Sequence, residues 1–288
     1  MNTKRQQSEL NQKSVSSWDY FESHRAKVAA IAIAAAEELT VDVGNLPNCG
    51  ILGAGNGNDL DLAALAQRFS SIHLFDIDEN ALERIKDRYQ DQPKVLSRLV
   101  FEDPVDVSSV FQQLDQCRSP TGDCDHRQLI ESANKVSLEG TSLHERTFDV
   151  VVSVCLLSQL ILAVVNTFAD DDKAQTPILL AVRDGHLNLL VRLSKHPGRT
   201  ILITDFVSSD TLPQLAQADD DEKLLAAARI AIDDRNFFTG TNPWAITAKL
   251  GPQLKPADQD SLEVSPPWRW QFGKRFYAVT AITFSMGE

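Results

Sequence analysis

Five small residues, Gly53-Ala54-Gly55-Asn56-Gly57, follow directly on the apolar segment Cys49 to Leu52, and a second apolar segment, Ile72 to Phe75, ends on Asp76-Ile77-Asp78. If both segments are strands, the first turns sharply into a helix. Such a turn leaves free backbone N–H groups at the carboxyl edge of the sheet, where doubly wound folds bind ligands. Glycine is needed there because a Cβ would hold a ligand away from the backbone. Asp76 lies about 20 positions further on, at the tip of the second strand, where a carboxylate can accept both ribose hydroxyl protons. Turn and carboxylate together predict an adenosine-containing ligand.

The elements that must position these residues follow from periodicity. Residues 1–17 read as a flexible polar tail, and residues 18–47 as an N-terminal helical cap. Trp18, Tyr20 and Phe21 open this cap as a lid over the cleft or as a staple for the helix, and Val28, Ile31, Ala32, Ala35 and Leu39 lie on one helical face. Gly44, Asn45 and Pro47 break it. A helix after the glycines, capped by Asn58 or Asp59, buries Leu62, Leu65, Ala66 and Phe69. Strand and helix then alternate. Strands are predicted at Val95 to Glu102, Phe148 to Val154 and Thr200 to Phe206, with helices from Leu156 to about Phe168 and from Ile178 to Ser194. Such alternation implies a parallel sheet with crossover helices. Two stretches exceed a single crossover: about 104–147, with Pro120, Gly122 and room for two short helices, and about 207–266, helical around Glu222 to Ile232. The ending differs in kind, because Trp268 to Phe272 and Phe276 to Phe284 form a hairpin with no helix between them.

Composition narrows the function. Lys plus Arg number 28 against 40 Asp plus Glu, a net charge of −12, so nucleic acid and anionic membrane surfaces are not expected partners. Val150 to Ala169 carries no charge over twenty residues, but its polar members and β-branched start fit a buried strand running into a core helix better than a membrane span. Cys49, Cys117, Cys124 and Cys155 are too few for a disulfide framework, and the polar start shows no signal peptide, so a cytoplasmic protein is expected. The spacing of Cys117, Cys124 and His126 is not that of a zinc knuckle, and no metal site is expected. His24, His144 and His186 are lone histidines, read by default as surface or helix-face residues, and no catalytic residue is assigned. The oligomeric state is left open.

The spacing of the glycines separates ligand classes. A dinucleotide turn, G-x-G-x-x-G from Gly53, would put glycine at position 58, where this chain has Asn58; the spacing here is G-x-G-x-G. With the acidic end of the next strand, this resembles the class I S-adenosylmethionine-dependent methyltransferases. Phe148 to Leu157 looks like that family's fourth strand and following helix. His186 to Thr200, with Pro197-Gly198, is similar to its next helix, turn and fifth strand, and the closing hairpin to its antiparallel seventh strand. The resemblance covers about residues 48–206 and 268–285.

The resemblance implies a doubly wound, seven-stranded α/β sheet over 48–288, the Rossmann-like methyltransferase fold, with helical insertions and an antiparallel C-terminal hairpin. It also implies S-adenosyl-L-methionine as cofactor. Gly53, Ala54, Gly55 and Gly57 would wrap the methionine moiety and near side of the ribose, Asp76 would hold the ribose hydroxyls, and Ile77 would pack on the adenine. Glu102 or Asp103 would reach the adenine amino group, and Ser153 and Cys155 would line the channel near the transferable methyl. The implied activity is methylation of a small-molecule acceptor at O or N, since Ser153-Val154-Cys155-Leu156 stands where an Asp/Asn-Pro-Pro-Tyr signature would mark nucleobase or glutamine amide methylation. Three rivals are a non-catalytic nucleoside-binding or interaction domain, an aminopropyl transferase of the same fold, and a nicotinamide-dependent oxidoreductase.

Overall fold

Strand β1 (Asn48–Leu52) lies at the centre of the sheet because both of its faces can be covered: its residues from Cys49 onward are all buried. In the computed structural model, which describes residues 2–39, 45–119, 122 and 124–287, it pairs in parallel with β2 (Ser71–Phe75) on one side and β4 (Phe148–Val154) on the other. β3 (Leu99–Phe101) extends the first half, and β5 (Ser194–Ser208) continues the second. The short β6 (Glu263–Val264) precedes the hairpin of β7 (Trp268–Phe272) and β8 (Arg275–Met286). β8 runs antiparallel to β5, giving the order β3-β2-β1-β4-β5-β8-β6, with β7 also pairing β8. The sheet thus has eight strands, the additional one being the two-residue β6. A parallel half whose strand order reverses at β1, closed on an antiparallel strand, is a doubly wound, Rossmann-like α/β fold.

Helices cover both faces, as the twofold alternation of strand residues requires. α1 (Thr3–Ser14) and α2 (Glu22–Leu39) precede the sheet, and α3 (Leu62–Leu65), α4 (Glu79–Arg88) and α5 (Pro93–Leu96) link its first three strands. Val28 and Ala32 of α2, Leu62 and Leu65 of α3, and Leu82 and Ile85 of α4 form one core with Ile51, Val150 and Val152. Beyond β3 come α6 (Phe111–Arg118), α7 (His126–Asn134), α8 (Leu156–Thr167) and α9 (Asp172–Leu193). Leu114, Leu160, Leu179 and Leu190 pack with Val151 and Phe148 on the opposite face. α10 (Asp221–Asp233), α11 (Pro243–Leu250) and α12 (Pro256–Gln259) occupy the second long connection.

Several expectations need correction. Residues 3–14 are a helix rather than part of a loose tail; Asn2 caps it by accepting a hydrogen bond from the Arg5 N–H, and Thr3 and Gln7 are buried. The cap of α3 is Asp61, which accepts from the Ala64 N–H, not Asn58, whose side chain bonds Ser14 and Arg88, or Asp59, whose carboxylate faces His24. β3 is shorter than predicted because Pro93 starts a helical turn over part of it. α9 begins at Asp172, ahead of Pro177. Cys117 and Cys124 form a disulfide that closes a small local loop, while Cys49 and Cys155 are buried thiols. Among the described residues no helix is long and apolar enough to cross a membrane, and no cluster of three or more potential ligands could hold a metal ion. Gly44 and Pro120 lie outside the described residues.

Candidate active site

The turn after β1 is held to the end of β2 before any ligand is considered. The Gly53 and Ala54 N–H groups both donate to the Phe75 carbonyl, at 2.9 and 3.0 Å, and the Gly57 N–H donates to the Ala54 carbonyl at 2.8 Å. Gly57 has φ +66°, and a Cβ there would stand 3.0 Å from the Ile85 side chain. Gly57 is therefore fixed by packing. Gly55 differs: at φ +50°, a Cβ on it would meet a single neighbour, Asn11 Oδ1, at 3.3 Å.

Asp76 closes the other wall. Its Oδ2 accepts from the Gly55 N–H at 2.8 Å and its Oδ1 from the Asp78 N–H at 2.9 Å. Burial pushes its carboxyl pKa up, against the opposing pull of these backbone hydrogen bonds. Ile77, next in sequence, is partly buried against the core under α6–α9. A carboxylate beside a glycine turn at the carboxyl edge is the pairing that holds a ribose diol in doubly wound folds.

Arginines supply what the acidic composition concealed. Arg88 Nη1 donates to the Asn56 carbonyl at 2.7 Å, Arg88 Nη2 to Asn58 Oδ1 at 3.1 Å, and Arg84 Nη1 to Asn56 Oδ1 at 2.9 Å. Arg25 Nη1 donates to the Asn58 carbonyl at 3.0 Å and to the Trp18 carbonyl at 2.9 Å. Arg25 and Arg88 also lie over the Trp18 ring, 3.6 and 4.1 Å from its centroid. Asn58 has a purpose of its own, since its Nδ2 donates to the Ser14 carbonyl at 2.7 Å. Two of these arginines were visible as an i,i+4 pair on the helix after Asp78.

A second polar cluster stands at the ends of β4 and β5. Cys155, the residue after β4, takes the left-handed conformation at φ +48°, ψ +21° as it starts α8. A side chain held there costs about 1–3 kcal/mol, sustained by its surroundings; the Cys155 N–H donates to the Ile203 carbonyl at 2.8 Å. Burial raises the Cys155 thiol well above its usual range, with the nearby Asp205 carboxylate adding to the shift. Asp205 is buried and accepts from Ser158 Oγ at 2.6 Å, and burial raises its carboxyl pKa too.

His24 of α2 faces this cluster, fully buried rather than on the surface. Its Nδ1 accepts from the Trp268 indole N–H at 3.0 Å, which puts the imidazole proton on Nε2, 3.1 Å from Asp59 Oδ1. Its ring stacks on Trp270 at 4.9 Å. Phe21 packs edge-on to Trp270 at 5.1 Å, whereas Tyr20 is exposed. Phe21 thus acts as a staple for the cap and the closing hairpin.

The remaining predicted residues are not brought to the turn. Glu102 pairs with His73, its Oε1 2.7 Å from Nδ1. Asp103 is exposed and borders a surface recess with Pro104, Val105 and Gly140 to Ser142. Ser153 was expected to line the methyl channel. It points instead into the layer of α8 and α9, where its Oγ is 2.9 Å from His186 Nε2 and both residues are fully buried.

No family model and no curated protein matches the sequence. In fold the chain is similar to the N-methyltransferase NodS from Bradyrhizobium japonicum WM9, at 10% identity and TM-score 0.45 over 94% of this chain and 98% of that one. It is also similar to a SAM-dependent methyltransferase from Aquifex aeolicus, at 11% identity and TM-score 0.39 over 91% and 98% of the two chains. A third is the methyltransferase domain of bacterial CtHen1-CN, at 14% identity and TM-score 0.44 over 90% and 97%.

Proposed function

We propose that the protein is an S-adenosylmethionine-dependent methyltransferase acting on a small-molecule acceptor at O or N. The observation that carries this reading is the pairing of the Asp76 carboxylate with the Gly55 N–H across the carboxyl edge, in a turn whose Gly55 has one side-chain neighbour, Asn11. When bound, the cofactor supplies a methyl group already activated by its sulfonium.

The chain's own residues then have three tasks. Gly53, Ala54, Gly55 and Gly57 admit the ligand close to the backbone, while Asp76 fixes the ribose and Ile77 covers the base. Cys155, with its thiol protonated, shapes the edge without offering a nucleophile. Asp205 stands next to it as a carboxyl whose raised pKa suits a proton acceptor for an acceptor O–H or N–H. The reaction is an in-line displacement, so approach geometry and removal of that proton are the enzyme's main contributions.

Calorimetry with S-adenosylhomocysteine, S-adenosylmethionine and NAD tests the reading. Saturable binding of the first two, lost or much weakened in Asp76→Ala, is expected. Binding of NAD alone would transfer the protein to the nicotinamide-dependent reading.

A further inference from the structure

Where α2 meets the closing hairpin, three buried polar atoms lack a hydrogen bond: His24 Nε2, Asp59 Oδ1 and Trp270 Nε1. Nε2 and Oδ1 stand 3.1 Å apart without the alignment of a hydrogen bond, and the Trp270 ring is stacked on the imidazole. Buried polar groups left unpaired are unfavourable. A small polar guest would remove that cost, since the Trp270 N–H needs an acceptor atom and Asp59 Oδ1 a donor.

The charge around these atoms is one-sided. Burial above all, with the Asp59 charge adding to it, raises the Asp205 carboxyl, so the two carboxylates lie within electrostatic reach of each other. Among the described residues neither pairs with a lysine or arginine: Asp59 faces His24, and Asp205 accepts from Ser158 Oγ. The rest of the wall is aromatic. Trp270 packs on Tyr277 with ring centroids 5.1 Å apart, and Trp268 tilts over His24 at 5.9 Å. Ring faces attract cations, and indole attracts them most strongly. The cluster reaches solvent beside Asp59, whose side chain is 23% exposed, and along the half-buried Trp268 and Tyr277. Two carboxylates without a cation, backed by electron-rich rings, suit an organic cation and oppose a phenolate.

We propose that this cluster is the acceptor site and that the acceptor is an aliphatic amine bound as its ammonium cation, held by Asp59, Asp205 and the rings of Trp268, Trp270 and Tyr277. Calling the amine a methyl acceptor rests on the methyltransferase reading; binding of the cation does not. In the transfer, the ammonium proton passes to the ionised Asp205 and the freed lone pair forms the N–C bond, while the electron pair of the broken C–S bond stays on sulfur. The product is again a cation, which the same carboxylates and rings hold.

Choline is the probe, because its nitrogen carries a fixed charge and an uncharged analogue with carbon in place of that nitrogen has the same shape. Both are titrated by calorimetry into the full chain with S-adenosylhomocysteine present. Choline is expected to bind at least about tenfold more tightly than the analogue. Asp59→Asn, which keeps the side chain's size, is expected to weaken choline about tenfold and leave the analogue unchanged.

In a chain that binds S-adenosylhomocysteine, equal affinity for choline and its analogue, or no binding of either, would overturn the proposal and leave the methyltransferase reading standing. Binding of choline without any binding of S-adenosylhomocysteine would keep the cation site but defeat that reading, and with it the role of the amine as acceptor.

Discussion

Asp76 Oδ2 and the Gly55 N–H, 2.8 Å apart, join the two halves of the nucleotide edge: the carboxylate that ends β2 and the turn that leaves β1. The same carboxylate atom that would accept a ribose hydroxyl proton already fixes the turn's shape. Removing it should therefore act twice, through lost ligand contact and through a loosened turn. Asp76→Asn, which keeps the side chain's size, should weaken S-adenosylhomocysteine binding by at least tenfold in calorimetry, about the worth of one hydrogen bond to a charged group.

The affinity should also depend on acid. Burial raises the Asp76 carboxyl above the ordinary carboxylate range, and the ionised form is the one that accepts two hydroxyl protons. Binding should thus fall as pH drops through that raised value, at a higher pH than an exposed aspartate would give. An affinity that stays flat down to pH about 4, the ordinary aspartate value, would count against Asp76 as the ribose ligand.

Asp205→Asn should separate binding from turnover. S-adenosylhomocysteine affinity is expected to stay near wild type, while release of S-adenosylhomocysteine in the presence of an acceptor found by screening falls about 10²–10⁴-fold. In the wild type the acid limb of the rate profile should sit above the normal aspartate range, since Asp205 must lose its proton to act and burial holds that proton on. Unchanged turnover in Asp205→Asn would remove it from the mechanism.

Gly57→Ala tests the packing argument. The left-handed backbone costs a non-glycine residue about 1–2 kcal/mol, and the new Cβ would meet Ile85 at 3.0 Å. Urea unfolding should show a loss of that size or more, together with weaker binding. Alanine at the exposed Gly140, which has no neighbour within 4 Å, should show the backbone part alone.

His186 should make stability sensitive to pH. Burial lowers it from 6.5 to about 4, so the native state keeps it neutral while the unfolded chain takes up a proton. The folded state therefore has its full advantage above about pH 6.5 and loses it as the pH falls toward 4. Melting temperatures measured over that interval should fall more steeply in the wild type than in His186→Gln.

What could be read in the sequence was local. The glycine turn and Asp76 declare themselves because one strand, one turn and the next strand tip are contiguous, and the hairpin from Trp268 onward follows from its two apolar runs. α1 escaped notice because its buried face is Thr3 and Gln7, with no apolar stripe to mark a helix. Ser153 was misplaced by one step of the strand's twofold alternation, which sends it to His186 instead of the edge. The convergence of His24, Asp59, Ser158 and Asp205 is tertiary, and no spacing in the chain announces it. The arginines around the turn were masked by a net charge of −12, which says nothing of where cations gather.

The bracing of the glycine turn has a consequence for engineering. Its carbonyls and asparagine side chains are clasped by Arg25, Arg84 and Arg88, and the guanidiniums of Arg25 and Arg88 both lie over the Trp18 ring. The turn is thus not a portable cassette. Transplanted into a foreign scaffold without those three cations and that ring, Gly53 to Gly57 would carry the motif's letters but not its shape.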